Sequence, residues 1–382
     1  MQGRPLKIVY CTPALYMAGG VERVLSLKAN YFAEHFNYDI TIILTEGKDK
    51  PLFYPLSDKI KIIHLDINFE ELWTCPFIKK IFVYLKKQRS FKKKLSDELM
   101  RIRPDITISL LRREINSIND IKDGSKKIGE LHVNRANYRN FESGDANAIK
   151  NLFAKFWMRN LVSHLKCLDR FVVLTEEDKS SWTELSNVEV IPDPLAFEIG
   201  AASPLTKKRV IAVGRYVYQK GFDLLLLSWS KVEKQHQDWE LAIYGMGERA
   251  PYEQIIDDLM IDRSRCHLYG STRDIKKEYF DSSLFVFSSR FEGFGMVLIE
   301  AMACGLPVIS FDCPCGPKDI VRHGENGFLV PLGNTDSLAD AMHKLMSDDT
   351  LRKEMASKAI ANVRCFVQEE VAQRWRGLFN SI

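Results

Sequence analysis

The chain has 382 residues, of which 46% are hydrophobic and 27% are charged. This composition is typical of a globular protein, and it excludes a disordered chain, a collagen-like chain and a small disulfide scaffold. At ~150 residues per domain, the length favours two sizeable domains, each able to bury a core of its own.

The net charge of +4 arises mainly from one segment. Residues 1–190 hold 31 Lys+Arg and 24 Asp+Glu, whereas residues 191–382 hold the other 23 and 26. Residues 76–104 alone carry 10 basic and 2 acidic side chains. The basic character therefore belongs to this segment and not to the fold as a whole.

Eight cysteines form no Cys-x-x-Cys pair, whereas zinc sites usually show two spaced pairs. Buried or incidental thiols in a reducing compartment are therefore favoured over a metal site or a disulfide. The N-terminus has no apolar core with a cleavage site, and no apolar run approaches ~18 residues, so the sequence predicts neither a signal peptide nor a membrane span. We expect a cytoplasmic chain.

Short apolar runs alternate with longer amphipathic runs through the first half. A glycine-containing loop follows the first run, and a helix is predicted over 21–36. The predicted strands of this half are Leu6–Cys11, Asp39–Leu44, Ile60–Leu65, Ile106–Leu111, Lys127–Leu131 and Arg170–Leu174. Strands that alternate with helices indicate a mostly parallel sheet.

The same pattern restarts in the second half, with a helix predicted over 222–236. Its predicted strands are Arg209–Val213, Trp239–Tyr244, Cys266–Tyr269, Ser283–Phe287, Pro307–Phe311 and Gly327–Leu329. Residues 191–204 lie between the two series, and their prolines disfavour helix. We therefore predict an α/β fold of two Rossmann-like doubly wound domains facing across a cleft. They would span 1–190 and 205–365, with a linker at 191–204 and a last helix, 366–382, packing back on the first domain.

The strongest local motif is RFEGFGMVLIEAMACGLP, residues 290–307, which follows a predicted strand and opens a predicted helix. Gly293 and Gly295 allow a close backbone approach, and the free N–H groups of the helix start suit a phosphate. Glu292 and Glu300 are eight residues apart, ~12 Å along a helix, so they would touch different parts of an extended ligand. Taken alone, Glu300 is equally well a helix-packing carboxylate.

Two further loops follow predicted strands. In GRYVYQKG, residues 214–221, Arg215 and Lys220 would together neutralise a diphosphate, although a solvated loop with two cations is the local alternative. Gly19 and Gly20 follow the first strand without the spaced glycines of a dinucleotide-binding loop, and locally they also fit a tight turn.

Together these three motifs resemble the donor site of the family 4 retaining glycosyltransferases of GT-B architecture. The resemblance is carried by the pair Glu292 and Glu300 within EGFGMVLIEAMACGLPVI, and it extends from Ile8 to Phe379. It implies retaining transfer of a hexose or N-acetylhexosamine from a nucleotide-diphosphate donor, expected to be UDP-linked. The acceptor would be a glycan or a polyprenyl-linked oligosaccharide in cell-surface polysaccharide biosynthesis.

The resemblance also implies roles for individual residues. Arg215 and Lys220 would bind the donor diphosphate, Glu292 the sugar hydroxyls and Glu300 the ribose. His132 would lie against the donor sugar, although a lone histidine after a strand is more often structural. The implied catalytic residues are Glu292, His132, Arg215 and Lys220. The remaining donor-binding positions are Gly19, Gly20, Phe294, Gly295, Met296 and Val297.

No metal and no other cofactor is expected. The chain contains no Asp-x-Asp sequence, and Arg215, Lys220 and the helix start would stabilise the developing negative charge instead. The chain departs from its relatives at Asp193, where asparagine is frequent, and at DCPCGPKD, residues 312–319. That variant resembles a subset acting on lipid-linked or capsular oligosaccharides.

The basic segment predicts an amphipathic helix with a lysine-rich face. Such a face binds an anionic membrane, where the enzyme would sit peripherally on the inner surface, or the diphosphate of a polyprenyl-linked acceptor. A solvated face over the core is the alternative, and nucleic acid is disfavoured because the aromatic side chains are not interleaved. The cations in question are Lys79, Lys80, Lys86, Lys87, Arg89, Lys92, Lys93 and Lys94.

Two other functions remain open at this point. A UDP-sugar 2-epimerase of the same architecture would need acid and base carboxylates and would ignore an added acceptor. A non-catalytic nucleotide-sugar-binding protein would bind UDP without turnover.

Overall fold

The computed structural model describes residues 4–74, 77–138 and 148–382. The chain divides into two compact units. The first unit comprises Met1–Leu174, Asp178–Ala196 and Gln368–Ile382, and the second comprises Thr175–Glu177 and Phe197–Val367.

The first unit is built on a seven-stranded parallel sheet in the order β3-β2-β1-β4-β5-β6-β7. Its strands are β1 (Lys7–Thr12), β2 (Asp39–Leu44), β3 (Lys61–His64), β4 (Ile106–Ser109), β5 (Lys126–Glu130), β6 (Arg170–Val173) and β7 (Val188–Val190). The six strands predicted for this half are confirmed, whereas the three-residue β7 was not predicted. Because every strand is parallel to its neighbours, all their carboxyl ends lie along one edge.

Helices cover both faces of this sheet. They are α1 (Gly20–His35), α2 (Phe77–Ile102), α3 (Ala148–Lys166), α4 (Glu176–Ser181), which begins in the second unit, and the C-terminal helix, numbered α12 by its place in the chain (Gln368–Asn380). Helix α12 packs against α1, where the rings of Phe32 and Phe379 lie 5.7 Å apart edge to face. Burial of Val371, Trp375 and Phe379 explains why the last segment returns to the first unit.

The second unit is built on a six-stranded parallel sheet in the order β10-β9-β8-β11-β12-β13. Its strands are β8 (Arg209–Val213), β9 (Glu240–Tyr244), β10 (Cys266–Tyr269), β11 (Leu284–Phe287), β12 (Val308–Phe311) and β13 (Gly327–Val330). All six were predicted. The central strands β8 and β11 are hydrogen-bonded neighbours, so the loops that follow them emerge side by side at the carboxyl edge.

The helices of the second unit are amphipathic or fully buried, according to their place on the sheet. They are α5 (Phe222–Val232), α6 (Ala250–Asp258), α7 (Ile275–Phe280), α8 (Met296–Ala303), α9 (Pro317–Ile320), α10 (Thr335–Ser347) and α11 (Asp349–Val363). A boundary between the two compact units falls between Ala196 and Phe197, within the residues 191–204 that were predicted as a linker.

Among the described residues, no helix combines the length and the apolar character that a bilayer span requires.

Candidate active site

The loops after β8 and β11 form one continuous structure. Arg290 donates its backbone N–H to the carbonyl of Gln219 at 2.8 Å, and the Ser288 hydroxyl donates to the carbonyl of Lys220 at 2.8 Å. The Gln219 amide donates to the carbonyl of Phe291 at 3.0 Å. Two motifs that lie about 70 residues apart in sequence therefore define a single site.

Lys220 and Glu292 are the charged pair at the centre of this site. The Lys220 ammonium donates to Glu292 Oε1 at 2.5 Å, and the two side chains are only 16% and 8% exposed. A Lys–Glu contact with so little water around it is stronger than a surface ion pair. The contact places a cation and a carboxylate together at the carboxyl edge, where ligands bind in such sheets.

Arg290 ties the two loops together from the other side. Its guanidinium forms two parallel hydrogen bonds to Asp223, at 2.8 and 2.6 Å, and lies 4.0 Å from the Tyr218 ring. The guanidinium also holds the pKa of Asp223 below its ordinary value, against the opposing effect of burial. No role was predicted for Arg290, although its position as the first residue of the motif at 290–307 could have indicated one.

Gly221 is the residue that allows the two loops to meet. Its φ is +60°, and a Cβ at this position would lie 2.1 Å from the carbonyl oxygen of Ser288. Only glycine tolerates both the left-handed backbone and the contact. Gly221 then starts α5 directly after Lys220.

Helix α8 begins at Met296, with Gly295 as its N-cap at φ 97°. Phe294 is buried and packs against Phe366, their ring centroids 5.6 Å apart, which anchors the helix start. Met296 and Val297 form the first turn of α8, where backbone N–H groups have no partner within the helix. A helix start of this kind suits an anion.

Glu300 lies on α8 and is 2% exposed. The Tyr279 hydroxyl donates to one of its carboxylate oxygens at 3.4 Å. Because α8 begins only at Met296, Glu292 lies outside the helix, and the spacing calculated for a continuous helix does not apply to this pair.

The DCPCGPKD loop, residues 312–319, packs directly against the α8 start. Glu292 donates its backbone N–H to the carbonyl of Pro314 at 3.2 Å. Gly316 has φ +115°, and a Cβ there would lie 1.9 Å from the carbonyl oxygen of Phe294. This loop therefore supports the backbone on both sides of Gly293.

Cys313 lies close to the central pair. Its burial, together with the negative charge of Glu292, raises the pKa of its thiol well above the ordinary value, and Lys220 only partly opposes this. All seven cysteines among the described residues are free. The protonated thiol of Cys313 is therefore a packing group.

Arg215 projects from the same edge. It is exposed, and it makes no ion pair with any residue that the structure describes. The exposed guanidinium of Arg215 and the ion-paired ammonium of Lys220 thus belong to one loop but have different surroundings.

Gly19 and Gly20 lie in the first unit, where Gly20 is the first residue of α1 and Gly19 its N-cap. A Cβ at Gly19 would lie within 1.8 Å of a carboxylate oxygen of Glu22. The acidic side chain of the first turn therefore folds back over the helix start, which it stabilises through the helix dipole.

His132 follows β5 and belongs to a buried charge network. Its Nε2 lies 3.1 Å from Glu130 and its Nδ1 lies 3.3 Å from Asp193, with the side chain 6% exposed. Glu130 also contacts the Lys28 ammonium, which lies 4.5 Å from the centre of the Trp375 ring. Burial alone lowers the pKa of His132, but Asp193 and Glu130 outweigh it and raise this pKa to about 9.

Glu130, His132 and Asp193 bring three potential ligand atoms within 4.8 Å of one another. Lys28 and protonated His132 already balance the two carboxylates, and the two ring nitrogens face different carboxylates. A divalent cation would add two charges to a neutral group and would have to displace a proton or Lys28. The residues therefore do not fit a metal site.

The side chains of Lys79 and Lys80 lie outside the described residues. The other cations of α2 fall into two groups. Lys87 donates to the carbonyls of Ile67 and Asn68 at 2.5 and 3.0 Å. Lys94 donates to the carbonyl of Leu65 at 2.6 Å. These two lysines donate hydrogen bonds to the backbone carbonyls of the preceding loop, so their role is structural.

The remaining described cations of α2 face solvent. Lys92 pairs with Asp120 at 2.6 Å. Lys86, Arg89 and Lys93 are exposed and have no ion pair with any described residue. The amphipathic character predicted for this helix is confirmed, because its Phe91, Leu95 and Leu99 are buried, although Tyr84 is 38% exposed.

The second unit matches a known protein family, and the chain as a whole is similar to known glycosyltransferases. Residues 198–362 match the family Glycosyl transferases group 1. The whole chain is similar to an uncharacterized glycosyltransferase of Haemophilus influenzae, at 28% identity over 94% of this chain and 96% of the relative. It is 26% identical to the amylovoran biosynthesis glycosyltransferase AmsD of Erwinia amylovora, over 98% of this chain and 99% of the relative.

The fold is similar to that of a solved structure, an S. aureus TarM variant in complex with fondaparinux, α-GlcNAc-glycerol and UDP. The TM-score is 0.76 at 18% identity, over 98% of this chain and 100% of the other. This likeness confirms the predicted α/β fold.

Proposed function

We propose that the chain is a retaining glycosyltransferase, because residues 198–362 match the family Glycosyl transferases group 1. It transfers a hexose or an N-acetylhexosamine from a UDP-linked donor to a glycan or a polyprenyl-linked oligosaccharide during cell-surface polysaccharide synthesis. The observation that supports this best is the contact of Lys220 with Glu292 beside the start of α8.

The donor diphosphate binds to Lys220, Arg215 and the N–H groups that open α8. Breaking the sugar–phosphate bond builds negative charge on the diphosphate and positive charge on the sugar carbon. Cations and helix dipoles that are already oriented stabilise that charge without reorganising. Lys220 is held in place by its contact with Glu292, whereas the exposed Arg215 closes on the diphosphate when the donor binds.

Glu292 orients the sugar, and Glu300 orients the nucleoside. Glu292 Oε2, to which the Gln219 amide donates at 3.4 Å, also accepts hydrogen bonds from sugar hydroxyls, while Oε1 stays with Lys220. Glu300 is buried, so only one edge of its carboxylate reaches the ribose. These carboxylates differ in partner, because one is bound to a cation and the other to the Tyr279 hydroxyl.

Transfer occurs on the front face of the sugar. The bond from the anomeric carbon to the diphosphate oxygen breaks, and its electron pair stays with that oxygen. The acceptor hydroxyl bonds to the same face, and its proton passes to the departing diphosphate. Glu292 is ion-paired and so is a weak nucleophile, which favours this path over a covalent intermediate.

Transfer requires no metal in this proposal. Lys220, Arg215 and the α8 start supply the positive charge that a divalent cation supplies elsewhere, and the charge network around His132 is neutral without one. His132 acts as a positioning residue, since both of its nitrogens face carboxylates. Gly19 and Gly20 permit a close approach of the first unit's loop to the sugar-phosphate.

The outer surface of α2 binds an anionic membrane or the diphosphate of the acceptor. Lys86, Arg89 and Lys93 provide the available charge, and Phe82 is 71% exposed nearby on the same helix. Arg89 and Lys93 also line a cavity of about 370 Å³ beside Ile121. The enzyme thereby associates with the inner face of the cell membrane.

The test is release of the nucleoside diphosphate, UDP or GDP, from a panel of UDP-glucose, UDP-galactose, UDP-GlcNAc, UDP-GalNAc and GDP-mannose, with EDTA, with and without lipid-linked acceptors. Release that depends on the acceptor supports the proposal. Lys220→Ala and Glu292→Ala each lower turnover at least ~100-fold, the scale of losing one oriented charge-stabilising group. Lys231→Ala is the matched control, because Lys231 pairs with Asp336 on the outside of the second unit.

Three outcomes would overturn the proposal. Conversion of the donor without an acceptor indicates an epimerase. Binding of UDP without turnover of any donor indicates a sensor. A rate that EDTA abolishes and Mn²⁺ restores contradicts the metal-free site.

A further inference from the structure

Helix α3 carries a groove that the donor site does not use. The cavity has a volume of about 490 Å³, within the range of small-molecule sites. We call it the α3 groove, and its lining residues are Lys155, Met158, Arg159, Val162, Ser163, Lys166 and Glu184. We propose that the α3 groove binds the phosphate headgroup of an anionic membrane lipid.

The charges of the α3 groove favour an anion. Lys155, Arg159 and Lys166 share one helix face, at ~6 and ~10 Å spacings along the axis. None of them forms an ion pair with a residue in the described part of the chain. They therefore remain available to a phosphate that enters from outside.

The one acidic side chain of the groove is already neutralised. Glu184 accepts two hydrogen bonds from the Arg135 guanidinium, both at 2.7 Å. These bonds lower the pKa of Glu184 to about 2. The two parallel bonds to Arg135 hold the Glu184 carboxylate, and the charge of Lys166 adds to the lowering of its pKa. One carboxylate that is already paired faces three groove cations, so the cavity is cationic.

The lining of the α3 groove selects a lipid over a free anion. Met158 and Val162 form an apolar floor between the cations, and free phosphate gains nothing from it. Phe156, on the same helix, is 71% exposed. An aromatic ring held in water beside a basic groove is typical of a surface that meets the bilayer interface.

The groove faces the same side of the first unit as α2. Leu161 and Leu165 of α3 and Phe91 and Leu95 of α2 belong to one buried cluster against the same face of the sheet. The outer surfaces of both helices therefore look away from that face. Phe82 of α2 and Phe156 of α3 are both 71% exposed. The groove extends the α2 surface proposed above but involves different residues.

The proposal is tested by flotation with vesicles of phosphatidylcholine, with and without phosphatidylglycerol. No nucleotide sugar is present, so the result is independent of transfer activity. We expect the triple variant K155Q/R159Q/K166Q to lose roughly 100-fold in affinity for the anionic vesicles, as three membrane-facing cations predict. The control K353Q/K358Q/R364Q removes the same charge from exposed positions on and just after α11 and should lose less than about threefold.

A second variant distinguishes binding within the α3 groove from attraction by net charge alone. Ser163→Trp fills the groove and keeps every charge, and Ser163 is exposed, so the fold tolerates the change. We expect at least tenfold weaker binding of the soluble probe dihexanoyl phosphatidic acid, with an unchanged melting temperature.

Each alternative result overturns the inference. Equal losses for the two triple variants indicate attraction by net charge alone. Unchanged binding to Ser163→Trp means that the cavity is not the site. Binding of inorganic phosphate as tight as that of dihexanoyl phosphatidic acid would show that the groove does not select a lipid. Loss of all vesicle binding in K86Q/R89Q/K93Q, with K155Q/R159Q/K166Q unaffected, assigns the membrane contact to α2 alone.

Discussion

The Lys220 ammonium donates a hydrogen bond to the Glu292 carboxylate at 2.5 Å. The carboxylate therefore offsets part of the positive charge of the cation that we propose binds the diphosphate. In the proposed reaction, a carboxylate so close to this cation weakens nucleotide binding but holds the cation in one place. Weaker binding would favour release of the nucleotide product.

Glu292→Gln should therefore separate binding from transfer. Removing the negative charge makes the site more cationic, so UDP binds about tenfold more tightly, equivalent to about 1.4 kcal/mol. Turnover falls at least ~100-fold, because the sugar and Lys220 lose their alignment. Calorimetry with UDP and a transfer assay measure the two effects. Weaker UDP binding in this variant would show that Glu292 does not oppose the diphosphate.

Stability should depend on pH through His132. The pKa of this buried imidazole is raised to about 9 in the folded chain, against about 6.5 when unfolded. Its contribution is complete below pH ~6.5 and is lost as the pH rises through about 9. The loss amounts to roughly 3 kcal/mol at 1.36 kcal/mol per pKa unit.

The measurement is the melting temperature of wild type and His132→Gln between these pH values. The wild type should become less stable as the pH rises, and the variant should be less stable throughout with a flatter profile. His35→Gln, at an exposed position on α1, should keep the wild-type slope. A variant slope equal to that of the wild type would mean that His132 is not the titrating group.

The two groups of α2 cations should respond differently to substitution. Lys87→Gln removes a charged donor from the carbonyls of Ile67 and Asn68, at a cost of about 2 kcal/mol in the free energy of unfolding. Lys86→Gln, one residue away and exposed, should change it by less than about 0.5 kcal/mol. Urea denaturation gives both values. Equal effects would contradict the structural role of Lys87.

Gly316→Ala should disturb the donor site, although Gly316 lies in the neighbouring loop and not in the site itself. The new Cβ would meet the Phe294 carbonyl, and the backbone conformation is itself unfavourable for alanine. We expect a loss of at least about 2 kcal/mol in stability and weaker UDP binding, because the α8 start shifts. Gly270→Ala, where a Cβ meets nothing within 4 Å, is the control. Wild-type UDP binding in Gly316→Ala would show that the 312–319 loop does not support the site.

Much of the fold was predictable from the order of residues. Buried parallel strands are continuous apolar runs, so twelve of the thirteen strands were identified, and β7 escaped because Val188–Val190 is short and includes Glu189. The association of the loops at 214–221 and 288–295 was also predictable in outline. Both follow strands of one parallel sheet, and such loops share an edge.

The sequence by itself determined which residue types stand at the carboxyl ends of the strands, because local apolar periodicity and glycine positions encode strands, turns and helix starts. Tertiary structure decided which charges meet. Arg290 meets Asp223 and His132 meets Asp193 only because distant segments pack together. The same packing divides the α2 lysines into carbonyl-bound and exposed groups. Electrostatic energy depends on distance and on the exclusion of water, and neither quantity exists until the chain has packed.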